Sequence, residues 1–245
     1  MWKGSLMPAE PTYVIVGASM AGAKAAETLR EEGFGGSIVL LGEEQERPYE
    51  RPPLSKGYLL GKEDKSSVYI HEPTWYAEND VDLRLGVTAT ALDVGARQVT
   101  LADGGTVGYD RLLLATGAAP RRLSVPGADL EGVLYLRRVG DSERLAGALR
   151  GGGHVVVVGA GWIGLEVAAA AREFGCEVTV VEPEPCPLYR HLGPELGAVF
   201  TGLHTEHGVV FRFEESVTEL RGAQGMVREV VTSAGTSGWS TGPTR

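Results

Sequence analysis

Gly159, Gly161 and Gly164, followed a little over twenty positions later by Glu182, are spaced for holding a dinucleotide. A pyrophosphate is bound by backbone N–H groups at a helix N-terminus, and glycines permit both the tight turn and the close approach. An acid at the end of the next strand then accepts hydrogen bonds from the ribose hydroxyls of the adenosine, about 20 residues on. A carboxylate there repels a 2′-phosphate, and Pro183, Glu184 and Pro185 follow it with no Arg or Lys. This pattern predicts NADH over NADPH.

The same arrangement occurs earlier in the chain, where Gly17, Ser19 and Gly22 precede Glu43. Serine replaces the middle glycine and is small enough to leave a phosphate its approach. Each copy needs a strand running into its turn and a helix leading out. The hydrophobic periodicity supplies both: a β-rich run at 13–16, a helix over 21–32 stopped by Gly33, and a buried strand at 38–41 ending at Gly42 and Glu43. In the second copy the strand is expected at 154–158, the helix at 165–174 and the next strand at 177–181, running into Glu182. One glycine triplet is a weak signal; two copies of one βαβ unit are a strong one. The alternative for either copy is a pair of helix-packing glycines in an α/β domain that binds nothing.

The fold class is therefore α/β, with two Rossmann-like units, the second incomplete. Between them, residues 82–115 read as short strands with a turn at Asp103-Gly104-Gly105, ending in an apolar run at 112–114. A crossover is expected over 121–127. After Glu182 the pattern predicts a break at 183–187, a helix over 194–207 and a strand at 209–213. The expected division is an N-terminal extension at 1–10, a first dinucleotide domain at 11–121, a second at 122–232, and a disordered Gly/Ser/Thr-rich tail at 233–245.

Composition narrows the partners. A formal charge of -9 excludes a basic footprint for nucleic acid or an anionic membrane. The first ten residues hold one lysine and no long apolar core, and no run nears the ~18 apolar residues of a membrane span, so a cytoplasmic protein is expected. The two cysteines, Cys176 and Cys186, form no CxxC pair, which suits free thiols in a reducing compartment. The 35 glycines follow no collagen-like period and suit turns and close backbone approaches.

Several segments together resemble the ferredoxin reductases that supply electrons to bacterial cytochromes P450 and aromatic-ring dioxygenases: residues 14–22, Glu46-Arg47-Pro48-Tyr49-Glu50-Arg51-Pro52-Pro53-Leu54-Ser55-Lys56, Ala115-Thr116-Gly117-Ala118-Ala119-Pro120-Arg121, and residues 159–166. The proline-flanked 51–56 stretch is the most specific. The resemblance implies FAD at Ala21, Glu43, Arg51, Lys56, Ala89 and Arg137, with Ala115, Thr116 and Gly117 beside its binding domain. It implies NADH at Gly159, Gly161, Gly164, Glu166 and Glu182.

It further implies that Lys56 stands beside the isoalloxazine ring, where a fixed cation stabilises the negative charge that arrives with hydride. Glu166, two positions past the third glycine, is placed to face the nicotinamide and to pair with Lys56. Lys56 and Glu166 are thus the expected catalytic residues. Neither cysteine sits where disulfide-reducing relatives need one, so single electrons are expected to leave for an external ferredoxin. Rubredoxin, oxygen or a quinone as acceptor, and a fragment without catalysis, are the alternatives. Full-length members of this family continue through a second FAD segment and a C-terminal domain. The chain is therefore expected to be truncated, and the unfamiliar residues 237–243 suggest a shifted reading frame.

Overall fold

The computed structural model describes residues 10–236. The chain forms two compact units, one holding the chain to Glu50 and again Lys65–Ala118, the other Arg51–Asp64 and everything from Ala119.

The first unit begins with β1 (Thr12–Val16), α1 (Met20–Glu31) and β2 (Ser37–Gly42). A single helical turn, α2 (Trp75–Glu78), leads to β3 (Val81–Leu85). An antiparallel meander follows, β4 (Ala89–Asp93), β5 (Gln98–Leu101) and β6 (Thr106–Gly108), and then β7 (Arg111–Leu114). The main sheet has the order β3-β2-β1-β7, and its strands are all parallel. Val14, Ile15, Ile38, Leu40 and Leu41 are fully or almost fully buried, as expected of branched and aliphatic runs in a parallel sheet. Gly22, Ala23 and Ala26 form the buried face of α1, small enough to bring the helix close to the strands. At its far end Arg30 gathers the chain, donating to the carbonyls of Asn79, Asp80, Phe34 and Gly36.

The second unit contains α3 (Val139–Arg150), β8 (His154–Val158), α4 (Trp162–Glu173), β9 (Glu177–Glu182), α5 (Tyr189–Glu206) and β10 (Val209–Phe213). Its parallel sheet runs β10-β9-β8. A second antiparallel meander follows, β11 (Val217–Ala223), β12 (Met226–Thr232) and β13 (Gly235–Thr236). The core packs Leu149, Leu165, Ala168, Ala171, Val178 and Val180 together with Leu59 from the 51–64 segment. That segment is also pinned by polar contacts: Tyr58 donates to Glu143, the Ser142 hydroxyl to the Leu54 carbonyl, and Lys62 pairs with Glu173.

Two expectations need correction. The helix expected from 194 starts at Tyr189, because Leu188 takes a left-handed conformation as its N-cap and a kink at Gly193 (φ 74°) accommodates Pro194. The tail expected to be disordered from 233 instead turns at Ser233 and pairs as β13 with β12. Its remainder, 237–245, lies outside the described residues, as do residues 1–9 of the expected extension. Among the described residues, no helix is long and apolar enough to cross a membrane.

Candidate functional site

Both glycine turns lie at the C-terminal edges of their parallel strands, where open α/β sheets place ligands. In the first unit, Gly17 has φ +116° and donates its N–H to the Leu41 carbonyl at 2.8 Å. A Cβ on Gly17 would stand 2.1 Å from the Ala115 carbonyl oxygen, and one on Gly22 would stand 2.0 Å from that of Gly17. The structure therefore brings Ala115, at the end of β7, directly against the turn, with Thr116 and Gly117 (φ +70°) continuing past it. Glu43 follows the last residue of β2, the parallel neighbour of β1. Ala89 opens β4, two residues past Val87, which donates its N–H to Gly42.

Ser19 is the N-cap of α1, in extended conformation, and its side chain makes no capping bond. The first turn, with Ala21 and Gly22, holds no acid. The first N–H groups of a helix have no partner within it, and the dipole there favours an anion. An uncapped, acid-free first turn behind a glycine bend fits a pyrophosphate.

The second turn is more open. Gly159 (φ +101°) donates to the Val181 carbonyl at 2.8 Å, and Gly161 is the uncapped N-cap of α4. Among the described residues, a Cβ on either would meet nothing within 4 Å, whereas one on Gly164 would stand 2.1 Å from the Gly159 carbonyl oxygen. Gly164 thus seats the helix on the turn, while Gly159 and Gly161 leave a cradle that the described residues do not fill. Glu182 ends β9 with both carboxylate oxygens engaged. One accepts the Ala160 N–H at 2.6 Å and the other the Glu184 N–H at 3.0 Å. The acid is therefore tied to the turn itself, and a carboxylate with about four lone-pair sites still has room for ribose hydroxyls.

The structure also brings Lys56 and Glu166 together, with Lys56 Nζ 2.8 Å from Glu166 Oε1. Lys56 ends the short 3-10 turn Pro52–Ser55, and Glu166 lies on α4. The preceding residue is one the sequence reading did not single out. The Ser55 hydroxyl donates to Glu166 Oε2 at 2.6 Å. Arg51 donates to the Arg137 carbonyl at 2.6 Å, and Asp141 accepts the backbone N–H groups of Arg137 and Arg138 at the start of α3.

Both cysteines are buried, and burial pushes the Cys176 thiol above its ordinary value; its Sγ lies 3.3 Å from the Leu149 carbonyl. Among the described residues, no cluster of His, Cys, Asp and Glu could hold a metal.

Comparison with known proteins places this geometry among nucleotide-dependent oxidoreductases. The family model described as pyridine nucleotide-disulphide oxidoreductase matches residues 11–239. Rhodocoxin reductase of Rhodococcus erythropolis is 43% identical over 224 residues, which are 91% of this chain and 52% of that protein. Rubredoxin-NAD(+) reductase of Pseudomonas putida is 39% identical over 222 residues, 91% of this chain and 58% of that one. The crystal structure of a ferredoxin reductase from Rhodopseudomonas palustris superposes with a TM-score of 0.89 at 39% identity, covering 92% of this chain and 56% of that one. The chain spans about half the length of the relatives it matches.

Proposed function

Because the chain belongs to the pyridine nucleotide-disulphide oxidoreductase family, we propose that it is the nucleotide-binding part of a flavoprotein reductase. In this reading, electrons pass from NADH through FAD to a small iron–sulfur ferredoxin that serves a cytochrome P450 or a ring-hydroxylating dioxygenase. The observation that carries it is the pair of glycine turns, each at a helix N-terminus with neither a side-chain cap nor a first-turn acid. A single such turn would suit many nucleotide binders; two in one chain suit a donor and an acceptor.

When bound, FAD supplies the step from paired to single electrons. Gly17, Ser19, Ala21, Gly22, Glu43, Arg51, Lys56, Ala89, Ala115, Thr116, Gly117 and Arg137 are assigned to hold it. Gly159, Gly161, Gly164, Glu166 and Glu182 are assigned to NADH, and Glu182 excludes a 2′-phosphate by charge. Arg137 apart, this assigns 11–121 to FAD and 122–232 to NADH along the sequence. Lys56 supplies a fixed positive charge where negative charge accumulates, and Glu166 keeps it in place. With both thiols buried, the electrons leave for an external acceptor. A cytoplasmic location suits the free cysteines.

Purified 245-residue chain should show a bound-flavin spectrum, alone or after FAD is added, and NADH should bleach it. Ferredoxin should then support reduction of cytochrome c. Colourless protein that takes up no added FAD overturns the reading. The likeness to a rubredoxin-NAD(+) reductase favours rubredoxin as a second candidate acceptor, and substituting it in the same assay separates the two.

A further inference from the structure

We propose that Ser55 is a positioning residue that fixes the Glu166 carboxylate and, through it, the Lys56 ammonium. The proposal rests on the role given to Lys56 above and adds what holds that charge still. The two oxygens of Glu166 are divided between neighbours in the sequence: Oε1 faces Lys56 Nζ at 2.8 Å, and Oε2 accepts the Ser55 hydroxyl at 2.6 Å.

The partners are unequal. The Lys56 side chain is 52% exposed and that of Glu166 28%. An ion pair this open to water gains little net energy and must order a long, flexible stem, so it does not fix its own geometry. Ser55 is only 5% exposed and has a single side-chain torsion before its oxygen. Its turn is held from behind, where the buried Ser142 hydroxyl donates to the Leu54 carbonyl at 2.7 Å and Arg51 donates to that of Arg137. Orientation therefore runs from α3 through the turn to Ser55, from Ser55 to the carboxylate, and from the carboxylate to the ammonium.

Ser55→Ala deletes one hydroxyl and leaves no gap larger than an oxygen. The carboxylate is then free to rotate, and Lys56 loses its fixed partner although both charges remain. Two readouts test this. In 15N-edited NMR spectra of the protein without cofactor, the Lys56 ammonium signal, assigned by its loss in Lys56→Met, should weaken in Ser55→Ala and return in Ser55→Thr. In flavin-loaded protein, Ser55→Ala should lower the flavin midpoint potential and slow flavin reduction by NADH about three- to tenfold at unchanged NADH affinity. Adding Ser55→Ala to Lys56→Met should change neither quantity further.

An unchanged ammonium signal in Ser55→Ala, or a Ser55→Ala effect on the potential that persists in full on the Lys56→Met background, overturns the proposal. Should the Thr variant not fold, the Lys56→Met background alone decides between positioning and general destabilisation. If the protein takes up no FAD, the functional reading fails by that result, while the NMR comparison still decides whether Ser55 orders Lys56.

Discussion

The second and third glycines of the second glycine turn should fail in different ways when each is changed to alanine. At Gly161 the backbone is extended with φ −78°, which alanine adopts without strain, and the new methyl meets none of the described residues within 4 Å. Replacing Gly by Ala at an N-cap moves stability by less than about 1 kcal/mol, partly offset by the reduced entropy of the unfolded chain. Unfolding should therefore stay within about 3 °C of the parent, at roughly 2–4 °C per kcal/mol for a chain of this size. The methyl does occupy the cradle at the α4 N-terminus, and losing one hydrogen bond to a charged group costs about 1.5–3 kcal/mol. NADH affinity should fall roughly 10- to 150-fold.

Gly164→Ala inverts the pattern. Its Cβ stands 2.1 Å from a backbone oxygen, so helix and turn must part, at about 1–3 kcal/mol for overpacking. The midpoint should drop by about 2–12 °C. Thermal unfolding followed by circular dichroism, with NADH titration followed by fluorescence, measures both quantities. If Gly161→Ala binds NADH within twofold of the parent, the cradle is not the nucleotide site, and the argument from open space fails.

Glu182→Gln should weaken NADH binding about tenfold and narrow the preference over NADPH, since it removes the charge that repels a 2′-phosphate; competitive titration of the two nucleotides measures this, and an unchanged preference counts against the assignment. Arg30→Met strips donors from four carbonyls at the end of α1 and should cost about 1–3 kcal/mol of stability, read as a lower midpoint in urea. Burial holds the imidazoles of His71, His154 and His204 below their usual value. Because the unfolded chain then binds protons more readily, their contribution is fully present above about pH 6.5 and is lost as pH falls through the lowered native values. Urea midpoints measured from pH 8 to pH 5 should therefore decline, and replacing the three by glutamine should flatten that decline.

Much of the frame can be read from residue types because each element carries a local signature. Strands β8 and β10 fall at 154–158 and 209–213, as the sequence predicts, since each is a run rich in valine or phenylalanine beginning just after a glycine. The start of α5 could not be read this way. A proline at 194 looks like a first turn, and only the kink at Gly193 allows another turn ahead of it. Ser55 was invisible for a different reason. It stands inside the 51–56 stretch, but that stretch gives it no role of its own, and its partner Glu166 is 111 positions away, brought near only by packing.

The glycines themselves separate into two kinds that the motif does not distinguish. Gly22 and Gly164 occupy equivalent places in the repeat, and a Cβ on either would strike the carbonyl of the first glycine in its own turn. Both copies keep glycine there, because the clash lies within the protein whatever it binds. Gly161 and Ser19 are also equivalent, each the uncapped N-cap of its helix. Here the copies differ, and at Gly161 no described residue fills the neighbouring space. On the proposed assignment, a side chain at this position is limited by what approaches from outside, and a small hydroxyl in one unit with none in the other then matches two different ligand approaches. Gly17 and Gly159 differ as well: Ala115 closes over Gly17 from β7, whereas β8 has no strand on that side among the described residues. The steric rule is therefore fixed by the fold at Gly22 and Gly164, and under the proposed function by the ligand at Ser19 and Gly161. The alanine pair tests that division, because it predicts lost stability at Gly164 and lost binding at Gly161.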